Sequence, residues 1–220
     1  MKTLLTVCLL ATFIATGSSL QCPVCETGGR NCEGTMQACP KDHDTCALIL
    51  SERSMGKQNN IRKKCIELNM CDKGLAVLDM GNGKTILSQV SCCKGEDCKK
   101  APTPLPARNS TASQEKKQCP ACYSEMNGCE EKTIECSRAD EVMCAESYYQ
   151  TLNSERKNVT TTMKGCANQA FCDNMKLFPL GVLLPQSKCV PASRSARTIP
   201  GLMGLFISVW SGFLFVAAFQ

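Results

Sequence analysis

Short runs in which apolar side chains cluster or alternate, each closed by cysteine, glycine or asparagine, set the rhythm of this chain. Residues 47–50 (Ala-Leu-Ile-Leu), 76–78 (Ala-Val-Leu) and 86–90 (Ile-Leu-Ser-Gln-Val) read as strands, because runs this short between turn residues suit a pleated, half-buried surface. Gly81-Asn82-Gly83, between the last two, is a strong hairpin signal, since these residues accept positive φ. No helix period persists between the cysteines. The expected class is therefore all-β and disulfide-rich, with hairpins tied together at one end.

Both ends break the rhythm. Residues 1–19 open with Lys2, continue through an apolar run at 4–14 and finish with Gly17, Ser18 and Ser19, the pattern of a secretory signal cut near Leu20. Residues 201–219 carry no charge, and no basic residue follows them as a single-pass anchor would require. With Ser193, Arg194 and Ser195 and a short polar spacer upstream, residues 191–220 read as a glycolipid-anchor signal with Ser193 as acceptor.

Secretion changes how the cysteines are read. Of the 19 in the chain, Cys8 leaves with the signal, and an even set in an oxidising compartment means disulfides. Zinc is disfavoured because the CxxC pairs lack a matching partner pair at finger spacing and His43 is the single histidine. The spacing of Cys22, Cys25, Cys32, Cys39 and Cys46 recurs at Cys119, Cys122, Cys129, Cys136 and Cys144, with gaps of 3, 7, 7, 7 against 3, 7, 7, 8. Cys65 and Cys71 recur as Cys166 and Cys172, so the chain is a tandem duplication. The units are 20–98 and 119–190, joined by a Pro, Ser, Thr and Lys-rich linker at 99–118. Only the first closes with Cys92, Cys93 and Cys98. It holds no Phe, Tyr or Trp, so its interior must be aliphatic side chains around sulfur.

These residues resemble the three-finger domains shared by snake toxins, lymphocyte-antigen-six proteins and the urokinase receptor. The resemblance covers both copies and implies the pairs Cys22–Cys46, Cys25–Cys32, Cys39–Cys65, Cys71–Cys92 and Cys93–Cys98. In the second copy it implies Cys119–Cys144, Cys122–Cys129, Cys136–Cys166 and Cys172–Cys189. Two departures are Lys99 where the family places Asn after its last cysteine, and the missing final loop of the second copy. The two-domain layout and the segment Cys25-Glu26 to Asn31-Cys32-Glu33-Gly34 look like the gamma-type phospholipase A2 inhibitors and their membrane-anchored mammalian relatives, although the inhibitors lack a hydrophobic tail.

Composition and motifs narrow the function. Setting aside Lys2, Arg194 and Arg197 leaves 22 basic residues against 20 acidic, a balance that gives no case for nucleic acid. The Arg62-Lys63-Lys64 run reads as a solvated strand edge. Cys-Pro-Val-Cys and Cys-Pro-Ala-Cys superficially suggest redox chemistry, but in the family frame each cysteine is consumed by a distant partner. His43 stands between Asp42 and Asp44 as a solvated histidine, and Glu130 and Glu131 have no catalytic spacing. No enzyme, cofactor or metal is expected. Asn109-Ser110-Thr111 and Asn158-Val159-Thr160 are glycosylation sequons.

Recognition remains. The resemblance places it on finger tips, here 51–60, 79–84, 148–153 and 177–184. All mature aromatics lie in the second domain, and the partner-binding expectation falls on Tyr148, Tyr149 and Phe178. Since neighbouring strand residues face opposite ways, only one of Tyr148 and Tyr149 can point outward. The expected protein is a non-enzymatic binding protein or ligand trap for an extracellular protein, with inhibition of secreted phospholipase A2 as the alternative. It would sit on the outer face of the plasma membrane through its glycolipid, or be shed.

Overall fold

The computed structural model describes residues 19–194 apart from 127, 154 and 179; the expected signal segment and hydrophobic tail lie outside the described residues. The described chain is all-β with one short helix. In domain 1 the fingers are the hairpins β1 (Gln21–Gly28) with β2 (Thr35–Ala38), β3 (Thr45–Arg53) with β4 (Gln58–Ile66), and β5 (Ala76–Asp79) with β6 (Thr85–Cys93). Domain 2 repeats the first two as β7 (Lys117–Ser124) with β8 (Lys132–Glu135), and β9 (Met143–Leu152) with β10 (Asn158–Ala167). Its third finger is reduced. A helix α1 (Gln169–Asn174) leads into a 3-10 turn at Met175–Leu177 and the two-residue β11 (Val182–Leu183), followed by β12 (Lys188–Pro191) and β13 (Ser193–Arg194).

Turn chemistry explains the hairpins. Gly81, Asn82 and Gly83 all adopt positive φ, and the Met80 amide donates to the Lys84 carbonyl at 2.9 Å. The nine disulfides pair Cys22 with Cys46, Cys25 with Cys32, Cys39 with Cys65, Cys71 with Cys92, Cys93 with Cys98, Cys119 with Cys144, Cys122 with Cys129, Cys136 with Cys166, and Cys172 with Cys189. Each domain thus carries a buried sulfur cluster at the base of its fingers. Native bridges in domains this small contribute about 2–5 kcal/mol each.

The two domains share one sheet and one core. Strand β5 of domain 1 pairs with β10 of domain 2, Asp79 opposite Cys166 and Leu78 opposite Ala167. Ala76, Leu78, Met80 and Ile86 of domain 1 pack with Tyr149, Met163, Phe171 and Phe178 of domain 2 in the largest apolar cluster. The Phe171 and Phe178 ring centroids are 4.9 Å apart. Leu177 enters a second cluster with Ala47, Ile49, Ile66 and Val90. The aromatic volume that domain 1 lacks is therefore supplied by its neighbour.

Two expectations are corrected. The Arg62-Lys63-Lys64 run is not a solvated edge: β4 is flanked by β3 and β1, and Lys63 is only 1% exposed. Its ammonium donates to the Lys99 and Lys100 carbonyls at 3.3 and 3.5 Å. Burial pushes its pKa down, against the opposing field of Glu33. The absence of helix also fails at α1, which forms because Asn168 caps it, accepting from the Phe171 amide at 3.1 Å.

Candidate functional site: the groove between the domains

Strand register determines what faces the groove. On β9 and β10 the inward face carries Tyr149, Thr151, Val159, Thr161 and Met163, while Tyr148, Gln150, Leu152, Asn158 and Thr160 point outward. Toward the finger base the inward residues are buried against domain 1; toward the tip they line an open groove of about 560 Å³. Thr151, Val159 and Thr161 form one wall, with Leu180 and Gly181 beside them. Glu26, Arg53 and Arg62 of domain 1 form the other, and Glu125 and Asn153 of domain 2 also line the groove.

Arg62 fixes this geometry. Its Nε donates to Glu26 at 2.8 Å and its Nη2 lies 2.6 Å from the same carboxylate. Its Nη1 reaches the backbone oxygens of Leu177 and Phe178 at 3.5 and 3.3 Å. One guanidinium so joins two strands of domain 1 to the reduced finger of domain 2, a use of its fork that lysine cannot reproduce. The Asn60 amide, in the orientation that satisfies both its ends, accepts from Arg53 at 3.1 Å. Nearby, the Tyr123 hydroxyl donates to Glu125. Burial first, then that hydrogen bond and the Glu125 charge, push its pKa up to about 12, against the opposing Arg53. Lys84 of domain 1 stands 5.4 Å over the Tyr123 ring, a further link between the domains. The groove offers matched acids and bases with small polar and aliphatic side chains, a surface suited to a protein segment of mixed character.

The three aromatic expectations separate. Tyr149 and Phe178 are each 0% exposed, so both are core residues and neither offers a partner any surface. Tyr149 donates its hydroxyl to the Met175 carbonyl at 2.7 Å, and burial drives its pKa well upward. Tyr148 is the outward tyrosine, half-buried, with the Lys164 ammonium 5.5 Å from its ring centroid. It faces away from the groove. Lys164 bonds Glu131 at 2.6 Å and lies 3.5 Å from Glu146. Desolvation alone would lower its pKa, but these partners and Tyr148 raise it overall. Of the expected tips, 177–184 is largely spent on the interface, because Leu177, Phe178 and Leu180 are buried there.

Other candidates settle into structural places. Asn109 and Asn158 are both exposed, and exposed Ser193 sits in β13 opposite Gln118. The sulfurs of Cys22, Cys39 and Cys65, and of Cys119, Cys136 and Cys166, lie close enough to suggest metal triads, yet all six are bound in disulfides. His43 is half-buried beside the turn its amide closes on Pro40. Of the groove residues, Arg53 and Thr151 fall within the expected tips 51–60 and 148–153, whereas Arg62, Val159 and Thr161 were not expected to meet a partner. Only the alternation on β10 could have pointed to the last two.

Two disulfide-knotted three-finger units fused through a shared sheet define a two-domain class of three-finger protein. Residues 20–100 match the family model described as phospholipase A2 inhibitor, and residues 115–193 match the u-PAR/Ly-6 domain. The phospholipase A2 inhibitor PIP of Malayopython reticulatus is 30% identical over 172 residues, covering 76% of this chain and 83% of that protein. A gamma-type phospholipase A2 inhibitor of Gloydius brevicaudus siniticus is 29% identical over 197 residues, covering 87% and 96%. The phospholipase A2 inhibitor NAI of Notechis ater is 29% identical over 175 residues, covering 78% and 86%. The chain belongs to this phospholipase A2 inhibitor family of two-domain u-PAR/Ly-6 proteins.

Proposed function

We propose that this chain is a non-enzymatic extracellular binding protein that captures a secreted phospholipase A2 across the groove between its domains and blocks it by occlusion. The supporting observation is that similarity to relatives named phospholipase A2 inhibitors runs through both domains, the same two that supply the groove walls. Titrating the ectodomain, with disulfides intact, into a panel of secreted phospholipase A2 enzymes tests the reading. At least one enzyme should be bound and inhibited. Thr161→Arg, which fills the groove from an otherwise tolerant wall, should weaken binding by at least about 1–2 kcal/mol with thermal stability kept. Tyr148→Ala, on the opposite face, should leave affinity unchanged. Neither binding nor inhibition across the panel overturns the proposal.

The uncharged stretch at 201–219 downstream of Ser193 favours a second element of this reading, a receptor-like ligand trap held at the cell surface by a glycolipid. Surface staining of cells expressing the full chain should vanish after phosphatidylinositol-specific phospholipase treatment. Persistent staining would exclude the anchor.

A further inference from the structure

The outward face of domain 2's central finger carries an apolar ridge at the edge of the sheet. Leu152 is 66% exposed and Val182 is 68% exposed. Val182 lies opposite Gln150, two residues from Leu152 on the same strand, so both side chains stand on one face as diagonal neighbours. Strand β11, which carries Val182, ends the strand order among the described residues, with β9 on its inner side. Exposed apolar side chains beside an open edge are a site of self-association unless something covers them. On the other flank, Asn158 lies directly opposite Leu152, exposed and on the same outward face. It begins the sequon Asn158-Val159-Thr160, and Thr160 lies opposite Gln150 on that face too.

We propose that Asn158 carries an N-linked oligosaccharide whose first sugars lie over Leu152 and Val182. Cross-strand partners have Cβ atoms about 5 Å apart, so a sugar bonded to the Asn158 amide starts within contact distance of Leu152. The C–H faces of its ring remove part of the ridge from water while its hydroxyls replace the apolar surface presented to solvent. In the forming step Nδ2 of Asn158 gives up a proton and bonds the anomeric carbon of the donor sugar. The bond from that carbon to the phosphate oxygen of a polyprenyl-diphosphate oligosaccharide breaks, and the diphosphate leaves with the electron pair and takes up the proton. Asn109 supplies the internal control, since it is exposed in the linker between Arg108 and Ser110 with no apolar side chain flanking it in sequence.

The test uses the full chain secreted or shed from mammalian cells. Peptide mass spectrometry after amidase release should show Asn158 converted to Asp, marking occupancy. Removing the glycan from the folded native protein should raise hydrophobic-dye fluorescence severalfold and shift gel-filtration elution toward dimers. Trimming to the first sugar should keep most of the masking. Asn158→Gln and Thr160→Ala should each reproduce the change, Asn109→Gln should not, and Leu152→Ser with Val182→Ser in the Asn158→Gln background should reverse it. The proposal falls if Asn158 is unoccupied, if native deglycosylation leaves dye binding and elution unchanged, or if the serine substitutions fail to reverse the effect. A second copy of the chain covering the ridge in the glycosylated protein, seen as a dimer that Leu152→Ser dissociates, also overturns it.

Discussion

Asn168 holds the two domains together through a single side-chain amide. Its oxygen accepts from the Phe171 amide, capping α1, and from the Val77 amide at 3.0 Å. Its nitrogen donates to the Leu75 carbonyl at 2.7 Å. Alanine here removes an N-cap, worth about 1 kcal/mol, and leaves backbone groups of domain 1 without partners at about 1–3 kcal/mol more. Asn168→Ala is therefore expected to lower unfolding free energy by about 2–4 kcal/mol in denaturant titration with disulfides intact. Asn168→Asp keeps the acceptor but sets a carboxylate oxygen against the Leu75 carbonyl where the donor stood, so it too should destabilise. An Asn168→Ala loss no larger than a surface substitution would show that water replaces these bonds. At this scale the sequence was legible for turns and misleading for charge. Gly81-Asn82-Gly83 announces its hairpin because φ is a local property. Lys63 cannot announce its burial, because the carbonyls that receive it lie 36 and 37 residues away.

At the scale of elements, the linker is a docked strap rather than a free tether. Leu105 packs against Cys32, Leu50 and Ile61 of domain 1, whereas Ala112 bridges to Arg138 of domain 2. Between them Arg108 bonds Asp140 at 3.2 Å and the fully buried Glu141 at 2.8 Å. Glu141 also accepts from the Arg138 amide at 3.0 Å. Removing one member of a buried ion pair strands the other, which typically costs 3–5 kcal/mol, so Arg108→Ala should destabilise by about 3 kcal/mol. It should also expose residues 99–116 to limited proteolysis, and protease resistance equal to wild type would argue that the strap is held elsewhere. Composition marks 99–118 as an extended linker, because proline, serine and lysine disfavour packed elements. It gave no sign of docking, which depends on contacts remote in sequence, among them an arginine meeting a carboxylate 33 residues on. The six residues of α1 were illegible for a different reason: a helix shorter than two turns shows no period, and only its Asn cap could have marked it.

Across the whole molecule, the cysteine spacing revealed two domains, but it could not reveal that they form one. Tyr149, Phe171 and Phe178 complete their packing only with Ala76, Leu78 and Ile86, and the aromatic-free first domain leaves one face of its sheet to be covered by the second. Pairing of β5 with β10 makes the junction backbone to backbone, and Gly165 permits it: a Cβ there would stand 2.0 Å from the Asp79 carbonyl oxygen. No side chain can yield to relieve that contact, because the obstacle is backbone. Gly165→Ala must push β5 off β10 and open the shared core, a loss of about 4 kcal/mol or more with its cause in one methyl group. The wild-type ectodomain should unfold in a single transition by calorimetry and by fluorescence alike. The variant should separate into two transitions and bind hydrophobic dye through the uncovered face of domain 1. Should the variant fail to be secreted, native-state hydrogen exchange on the wild type carries the same question, since amides of β5 and β10 would exchange at one common free energy if the junction opens only with global unfolding. Earlier exchange at β5 alone, with β10 still protected, would mean that the domains part as separate bodies. The groove would then be a hinge rather than a fixed receptor for its partner.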